Sequence, residues 1–194
     1  MEHLKLIKPS IEYKEAGIDY VNEHYVYNSP INGCGGLNRY LNDYEGWLKK
    51  IENDISNPDP GRVHSLSYYL VRESDNKIVG MVNIRLELNE RLLRCGGNIG
   101  YGIRPSERRK GYNKINLYLA LEICQNYGLE EILLDCNANN IGSKKSMEAL
   151  GGILVSDYID REEGHCLKYK INVSKSLKEY YNLYNQEESL KKER

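Results

Sequence analysis

Apolar residues recur along this chain first at helical spacing, then at every second position, then at helical spacing again, and each change of period marks a change of element. His3 to Ile7 reads as a short strand. Ser10 then offers a helix cap, with Ile18, Val21 and Tyr25 following on one side. The turn formers of Asn28 to Gly36 interrupt that helix and predict a loop. A second helix is predicted from Leu37, because Leu37, Tyr40, Leu41, Tyr44, Leu48, Ile51 and Ile55 share a stripe opposite charged residues. Two runs of period two, His64 to Glu73 and Ile78 to Leu88, are separated by Ser74 to Lys77, which is a hairpin signature. The Gly96-Gly97 pair leads into a strand over Asn98 to Arg104. Beyond it the order becomes helix (Tyr112 to Tyr127), strand (Glu131 to Cys136), helix (Ile141 to Leu150) and two closing strands, with Gly128 and Gly151 at the helix stops. The last segment, Val173 to Arg194, opens with the capping-box pattern Ser176-x-x-Glu179 and carries Leu177, Tyr180, Tyr181 and Tyr184 on one side.

A hairpin followed by strand, helix, strand, helix predicts a mixed α/β (α+β) fold whose middle sheet is partly antiparallel. The 194 residues suit one domain, expected over residues 1–172, with 173–194 as a C-terminal helix and tail. That helix either docks on its own domain or serves dimerisation, so the chain is expected to be a monomer or homodimer. A net charge of -1 leaves no global attraction to nucleic acid or to an acidic membrane surface, so any anion must be attracted locally. No apolar run approaches the length of a membrane span and the first residues do not resemble a secretory signal, which predicts a cytoplasmic protein. Cys34, Cys95, Cys124, Cys136 and Cys166 are odd in number and form no C-x-x-C, so neither a disulfide framework nor a metal site is expected. Phe is absent while Tyr occurs 17 times, and tyrosines must therefore fill aromatic core positions.

The stretch Ile103 to Lys114, IRPSERRKGYNK, sets Arg108, Arg109 and Lys110 directly ahead of Gly111 and a helix start. A helix N-terminus already carries partial positive charge and unpaired N–H groups, so cations there are unfavourable unless an anion faces them. The helix that follows is apolar nearly all round, which does not fit a solvated surface segment. A glycine at such a turn lets the backbone approach a phosphate or pyrophosphate, for which consecutive N–H groups form a cradle. The pattern is neither G-x-G-x-x-G nor the P-loop, which weighs against dinucleotide oxidoreductases and P-loop nucleotidases. Gly100 and Gly102 alternate on one face of the preceding strand, so something is expected to pack closely against it.

Arg108-x-x-Gly111-x-Asn113 after Ile-Arg-Pro, followed by a buried helix, resembles the acyl-CoA loop of the GNAT N-acetyltransferase superfamily. Asn140-Ile-Gly-Ser143, after the strand ending at Cys136 and before a helix closing on Leu150-Gly151, resembles that family's second cofactor element. The resemblance covers roughly Ile78 to Tyr169. It implies a three-layer α/β/α acyl-CoA N-acyltransferase fold with a splayed central sheet and acetyl-CoA as acyl donor. Backbone groups near Ile103 would bond the pantetheine arm. Amides of Arg108, Arg109, Lys110, Gly111, Tyr112 and Asn113 would hold the pyrophosphate, with Asn140 and Ser143 on the far side. Family members usually carry Gly or Ala where this chain has Asn113, and its side chain would either crowd the phosphates or bond them.

Acyl transfer to an amine requires removal of a proton from the ammonium, polarisation of the thioester carbonyl and, for the thiolate, a proton. Asn83, Arg85 and Glu87 alternate with apolar residues on the strand ending at Leu88, and this polar row is expected to line the acceptor cleft. Glu87 is the candidate base, with a solvated pairing to Arg85 as its bland alternative. Many family members place a carboxylate at the position aligned with Asn98 and a tyrosine at that aligned with Met147; this chain has neither. Asn98 can orient a water or the amine, Tyr101 stands in as candidate acid unless it is simply core, and His165 and Cys166 are outsiders. Two functions follow. One is an N-acetyltransferase for a primary amine on a small-molecule or amino-acid-like acceptor; the other is a catalytically degenerate acyl-CoA-binding module with a sensing role.

Overall fold

The computed structural model describes residues 2–186. Strands and helices are named in chain order: β1 (Leu4–Ile7), α1 (Lys14–Val26), α2 (Tyr44–Ser56), β2 (Ser65–Arg72), β3 (Lys77–Arg85), α3 (Glu90–Arg94), β4 (Ile99–Ile103), α4 (Tyr112–Asn126), β5 (Glu131–Asn137), α5 (Ile141–Glu148), β6 (Ile153–Asp160), β7 (Gly164–Asn172) and α6 (Val173–Tyr184). The strands form two sheets, β1-β2-β3-β4 and β5-β7-β6, in which every ladder is antiparallel. Among the described residues a single bridge, Gly97 to Leu134, joins them.

Helices cover both faces, giving three layers. On one face, Tyr20 and Val21 of α1 and Tyr44, Trp47 and Ile51 of α2 pack on Tyr69, Val71, Ile78 and Met81. Trp47 lies 5.3 Å from the Tyr44 ring and 5.9 Å from that of Tyr69, contacts that add about 0.5–1.5 kcal/mol each beyond burial. On the other face, α4, α5 and α6 enclose Val82, Ile84, Ile99, Leu121, Ile132, Leu134 and Met147.

Several boundaries differ from those read in the sequence. The second helix does not run from Leu37: a short 3-10 turn, Leu37–Arg39, precedes α2, whose start is fixed by the Asp43 carboxylate accepting from Gly46 N at 3.0 Å. Ser10 makes no cap bond, and α1 buries Tyr20 and His24 while Tyr25 is exposed. The strand expected to reach Leu88 ends at Arg85 and is followed by the short α3. No capping box forms at Ser176. Asn172 caps α6 through Lys175 N, and the buried Ser176 hydroxyl donates to Leu150 O. The α6 helix docks on α4, where Tyr118 donates to Leu177 O and stacks on Tyr184; the expected tail beyond residue 186 lies outside the described residues.

Candidate active site

Strand β4 is paired on one side only. Its register with β3 sets Ile84 opposite Ile99, Val82 opposite Tyr101 and Gly80 opposite Ile103. Arg85 N donates to Asn98 O at 2.7 Å and Arg104 N to Val79 O at 2.9 Å, so the even-numbered residues turn their backbone groups to β3. By the alternation of an antiparallel ladder, Ile99, Tyr101 and Ile103 turn theirs the other way, towards β5. Beyond the Gly97–Leu134 bridge no ladder joins β5 to β4, and the sheet opens into a gap.

Asn98 closes one end of that gap. Its N–H donates to Leu133 O at 2.6 Å, its Oδ1 accepts from Leu133 N at 2.9 Å, and its Nδ2 donates to Arg85 O at 3.1 Å. The amide expected to orient a water or an amine is instead a stitch between the two sheets, buried and committed to backbone groups. Gly97, at φ +61°, presses so closely on the Leu133 carbonyl that a Cβ would overlap it.

At the open end, the Tyr101 hydroxyl meets the Ser143 hydroxyl at 2.6 Å and so spans from β4 to α5. Asn140 caps α5 by accepting from Ser143 N at 3.1 Å, which fixes where Ser143 points. Burial pushes the Tyr101 phenol up to about 12, against the opposing pull of Ser143, so it stays protonated through the neutral range. Asn113, in the first turn of α4, holds a buried Oδ1 without a partner among the described residues. Met147 is fully buried in the core and donates nothing.

The basic loop resolves into three different fates. Lys110 is paired with the chain's own Glu107 at 2.7 Å, and that buried carboxylate also receives Arg72 at 2.8 Å and Lys77 at 3.0 Å. Burial would raise the Glu107 pKa, but the three cations outweigh it and hold the group at about 2. The anion inferred from the sequence is therefore supplied, for Lys110, by Glu107. Arg108 folds back, donating through Nε to Ile103 O at 3.1 Å and through Nη2 to Ser29 Oγ at 2.6 Å. One of the backbone groups near Ile103 expected to bond the pantetheine arm, the Ile103 carbonyl, is thus already held by Arg108. Arg109 stands exposed at φ +66° without a partner among the described residues.

Gly111 caps α4 at φ +82° with open space where a Cβ would be, and no side chain caps the helix. Among the described residues no protein acceptor takes the N–H groups of Arg109, Lys110, Gly111, Tyr112 or Asn113. Five free donors at an uncapped N-terminus with no acidic residue in its first turn suit an anion such as a pyrophosphate. The Tyr112 side chain itself points elsewhere, its hydroxyl accepting from Arg72 at 3.3 Å.

On the other face of β4 the close-packed partner is the chain itself. A Cβ on Gly102 would lie 2.8 Å from Asn32 O, and Gly33 sits at φ +70° against Gly100 and Tyr101. The tight glycine face thus accommodates the Asn28 to Gly36 loop, with the Arg85 guanidinium beside it over Gly100. A cavity of about 300 Å³, lined by His24, Tyr25, Asn28, Ser29 and Pro30, adjoins this loop. The predicted polar row is present in part. Ser65 and Ser67 of β2 lie opposite Arg85 and Asn83 of β3, and Asn83 donates to both serines. Glu87 is not in the row: it lies beyond the strand, exposed, bonded to His64 Nδ1 at 2.7 Å, and hydrogen bonds from His64 lower its pKa, which weakens it as a base. The outsiders stand apart on the second sheet, His165 paired with Asp157 and Cys166 buried. Sequence reading missed Glu107 and Ser29. The only signal for either was an acidic residue between Ser106 and Arg108.

No curated protein matches the chain by sequence. Among solved structures, Mycobacterium smegmatis RimJ in complex with CoA-disulfide superposes with a TM-score of 0.67 at 15% identity, over 92% of this chain and 89% of that one. The microcin C7 self-immunity acetyltransferase MccE, in complex with acetyl-CoA and AMP, gives 0.64 at 15% identity over 89% and 93%. Mutant forms of the spermidine/spermine N-acetyltransferase SpeG from Vibrio cholerae give 0.61 at 14% identity over 91% and 98%. These likenesses show a shared fold. The model of the Acetyltransferase (GNAT) family matches residues 37–151, more than half of the sequence and spanning both the basic loop and α5. The chain belongs to the GNAT acetyltransferase family, with acetyl-CoA as its acyl donor.

Proposed function

We propose that this acetyltransferase acetylates a primary amine on a small-molecule or amino-acid-like acceptor by direct attack on the thioester. The observation that carries the reading is the combination of a one-sided β4 edge with the five free N–H groups of residues 109–113. Acetyl-CoA supplies the activated acyl group. The loop amides and Arg109 would hold a diphosphate, and the gap-facing backbone groups of Tyr101 and the N–H of Ile103 would offer hydrogen bonds to an extended amide-bearing chain. Tyr101, protonated and held by Ser143, serves as proton donor to the departing thiolate. Asn140 positions Ser143 through the cap of α5.

Four carboxylates on that face are already committed: Asp19 and Glu23 to Arg104, Asp54 to Lys50, Glu87 to His64. Holding the two reactants together therefore supplies most of the acceleration, and the ammonium proton leaves to water. A thiol-release assay over a panel of amines, amino acids, polyamines and N-terminal peptides tests this. Turnover on small amines or amino acids is expected; tight cofactor binding with no turnover on any member overturns it in favour of a binding module.

A further inference from the structure

Among the described residues Arg104 is buried, and Arg72 and Arg85 are part-buried while the other arginines are exposed. Arg72 is paired with Asp75 and Glu107, and Arg104 with Asp19 and Glu23. Arg85 has no carboxylate. Its Nη1 donates to Gly96 O at 3.1 Å and Gly97 O at 2.8 Å, while Nε and Nη2 have no acceptor among the described residues. Arg85 is part-buried, its two unpartnered nitrogens are not sealed in the interior, and burial together with the nearby Arg91 lowers its pKa.

The placement of the free edge matters. Nη2 lies 3.2 Å from where a Cβ on Gly100 would stand, so it reaches over the middle of β4 on the face opposite α4. Around it, Ser65, Ser67 and Asn83 form the polar patch of β2 and β3, each nearly buried. None of these neighbours carries negative charge. A planar, five-donor cation with its outward N–H groups unused is suited to a carboxylate, which accepts two parallel hydrogen bonds.

We infer that Arg85 binds the carboxylate of the acceptor, and that the acceptor is an amino-acid-like molecule whose amine and carboxylate lie within a few bonds of each other. This rests on the amine-acetyltransferase reading above and narrows it. A polyamine would bring a second cation beside an unpaired guanidinium, and a protein N-terminus has no carboxylate close to its amine. Arg85 is thus a specificity-determining residue, with Asn83, Ser65 and Ser67 as its polar surround.

The test uses matched acceptors, a set of amino acids and the corresponding amino-acid amides, measured in the full-length enzyme with saturating acetyl-CoA. The acids are expected to exceed their amides in kcat/KM by about 10- to 100-fold, mostly through KM, the factor of a charge-assisted hydrogen bond. Arg85→Met is expected to bring that ratio near one and Arg85→Lys to retain part of it. Because Arg85 also bonds Gly96 and Gly97, melting and CoA affinity of both variants are recorded, and the ratio within each variant is read rather than its absolute rate. Equal rates on acids and amides, a preference for polyamines or peptides, or an acid-to-amide ratio untouched in Arg85→Met overturns the inference while leaving amine acetylation intact. Absence of turnover on every acceptor overturns both.

Discussion

Replacing Glu107 by Gln removes the one carboxylate on which Arg72, Lys77 and Lys110 converge. The group is 5% exposed, and its pKa falls from an ordinary 4.5 to about 2. At 1.36 kcal/mol per pH unit, that displacement corresponds to about 3 kcal/mol of stability at neutral pH. Lys77 and Lys110 reach water and Arg72 keeps Asp75, so the loss should stay near that figure rather than exceed it. The sign follows from linkage. A depressed carboxylate pKa stabilises above its unfolded value of about 4.5, and the contribution vanishes as pH falls through about 2. Urea unfolding of wild type and Glu107→Gln from pH 7 to pH 2 should show a gap of about 3 kcal/mol that closes between those two values; at neutral pH the melting temperature should drop by about 6–12 °C. A gap under about 1 kcal/mol at pH 7, or one that persists undiminished at pH 2, would refute the reasoning.

Gly33→Ala should destabilise by more than about 2 kcal/mol, since its Cβ would meet the Gly100 carbonyl and Tyr101 Cα at 2.5 Å at a left-handed φ of +70°. Gly111→Ala, left-handed but facing open space, should cost only about 1 kcal/mol in the same denaturation assay; equal costs for the two would remove the steric argument. Tyr101→Phe should lower kcat about 100-fold with CoA affinity within about threefold, while the wild-type rate shows no falling alkaline limb from this phenol below about pH 11. An unchanged kcat would end the proton-donor role.

The order of elements was legible because period and punctuation agree in most segments: β2 and α4 fall within a residue of expectation, and β3 starts within one but ends three residues early. Where reading failed, a side chain had a stronger local use than its pattern suggested. Asp43 captured Gly46 N and delayed α2, and Asn172 displaced the capping box at Ser176. The basic loop was recognisable as an anomaly of charge, but the sequence could not tell that Glu107 would turn inward. Its burial depends on Arg72 and Lys77, more than thirty and exactly thirty positions distant along the chain. Asn98 reads as a polar residue at a catalytic position, yet its amide is spent on two strands brought together only by the fold. Arg85 reads as part of a polar row, while its bonding to two backbone carbonyls and to no carboxylate among the described residues is a fact of tertiary placement alone.

Binding of the coenzyme at residues 109–113 is tested most directly by backbone amide NMR during titration with CoA and, separately, with pantetheine, which lacks the diphosphate. The amides of Arg109 to Asn113 should shift strongly with CoA and stay nearly still with pantetheine, whereas Tyr101 and Ile103 respond to both. Saturating CoA that leaves the 109–113 amides unmoved would contradict the assignment of that loop as the diphosphate cradle.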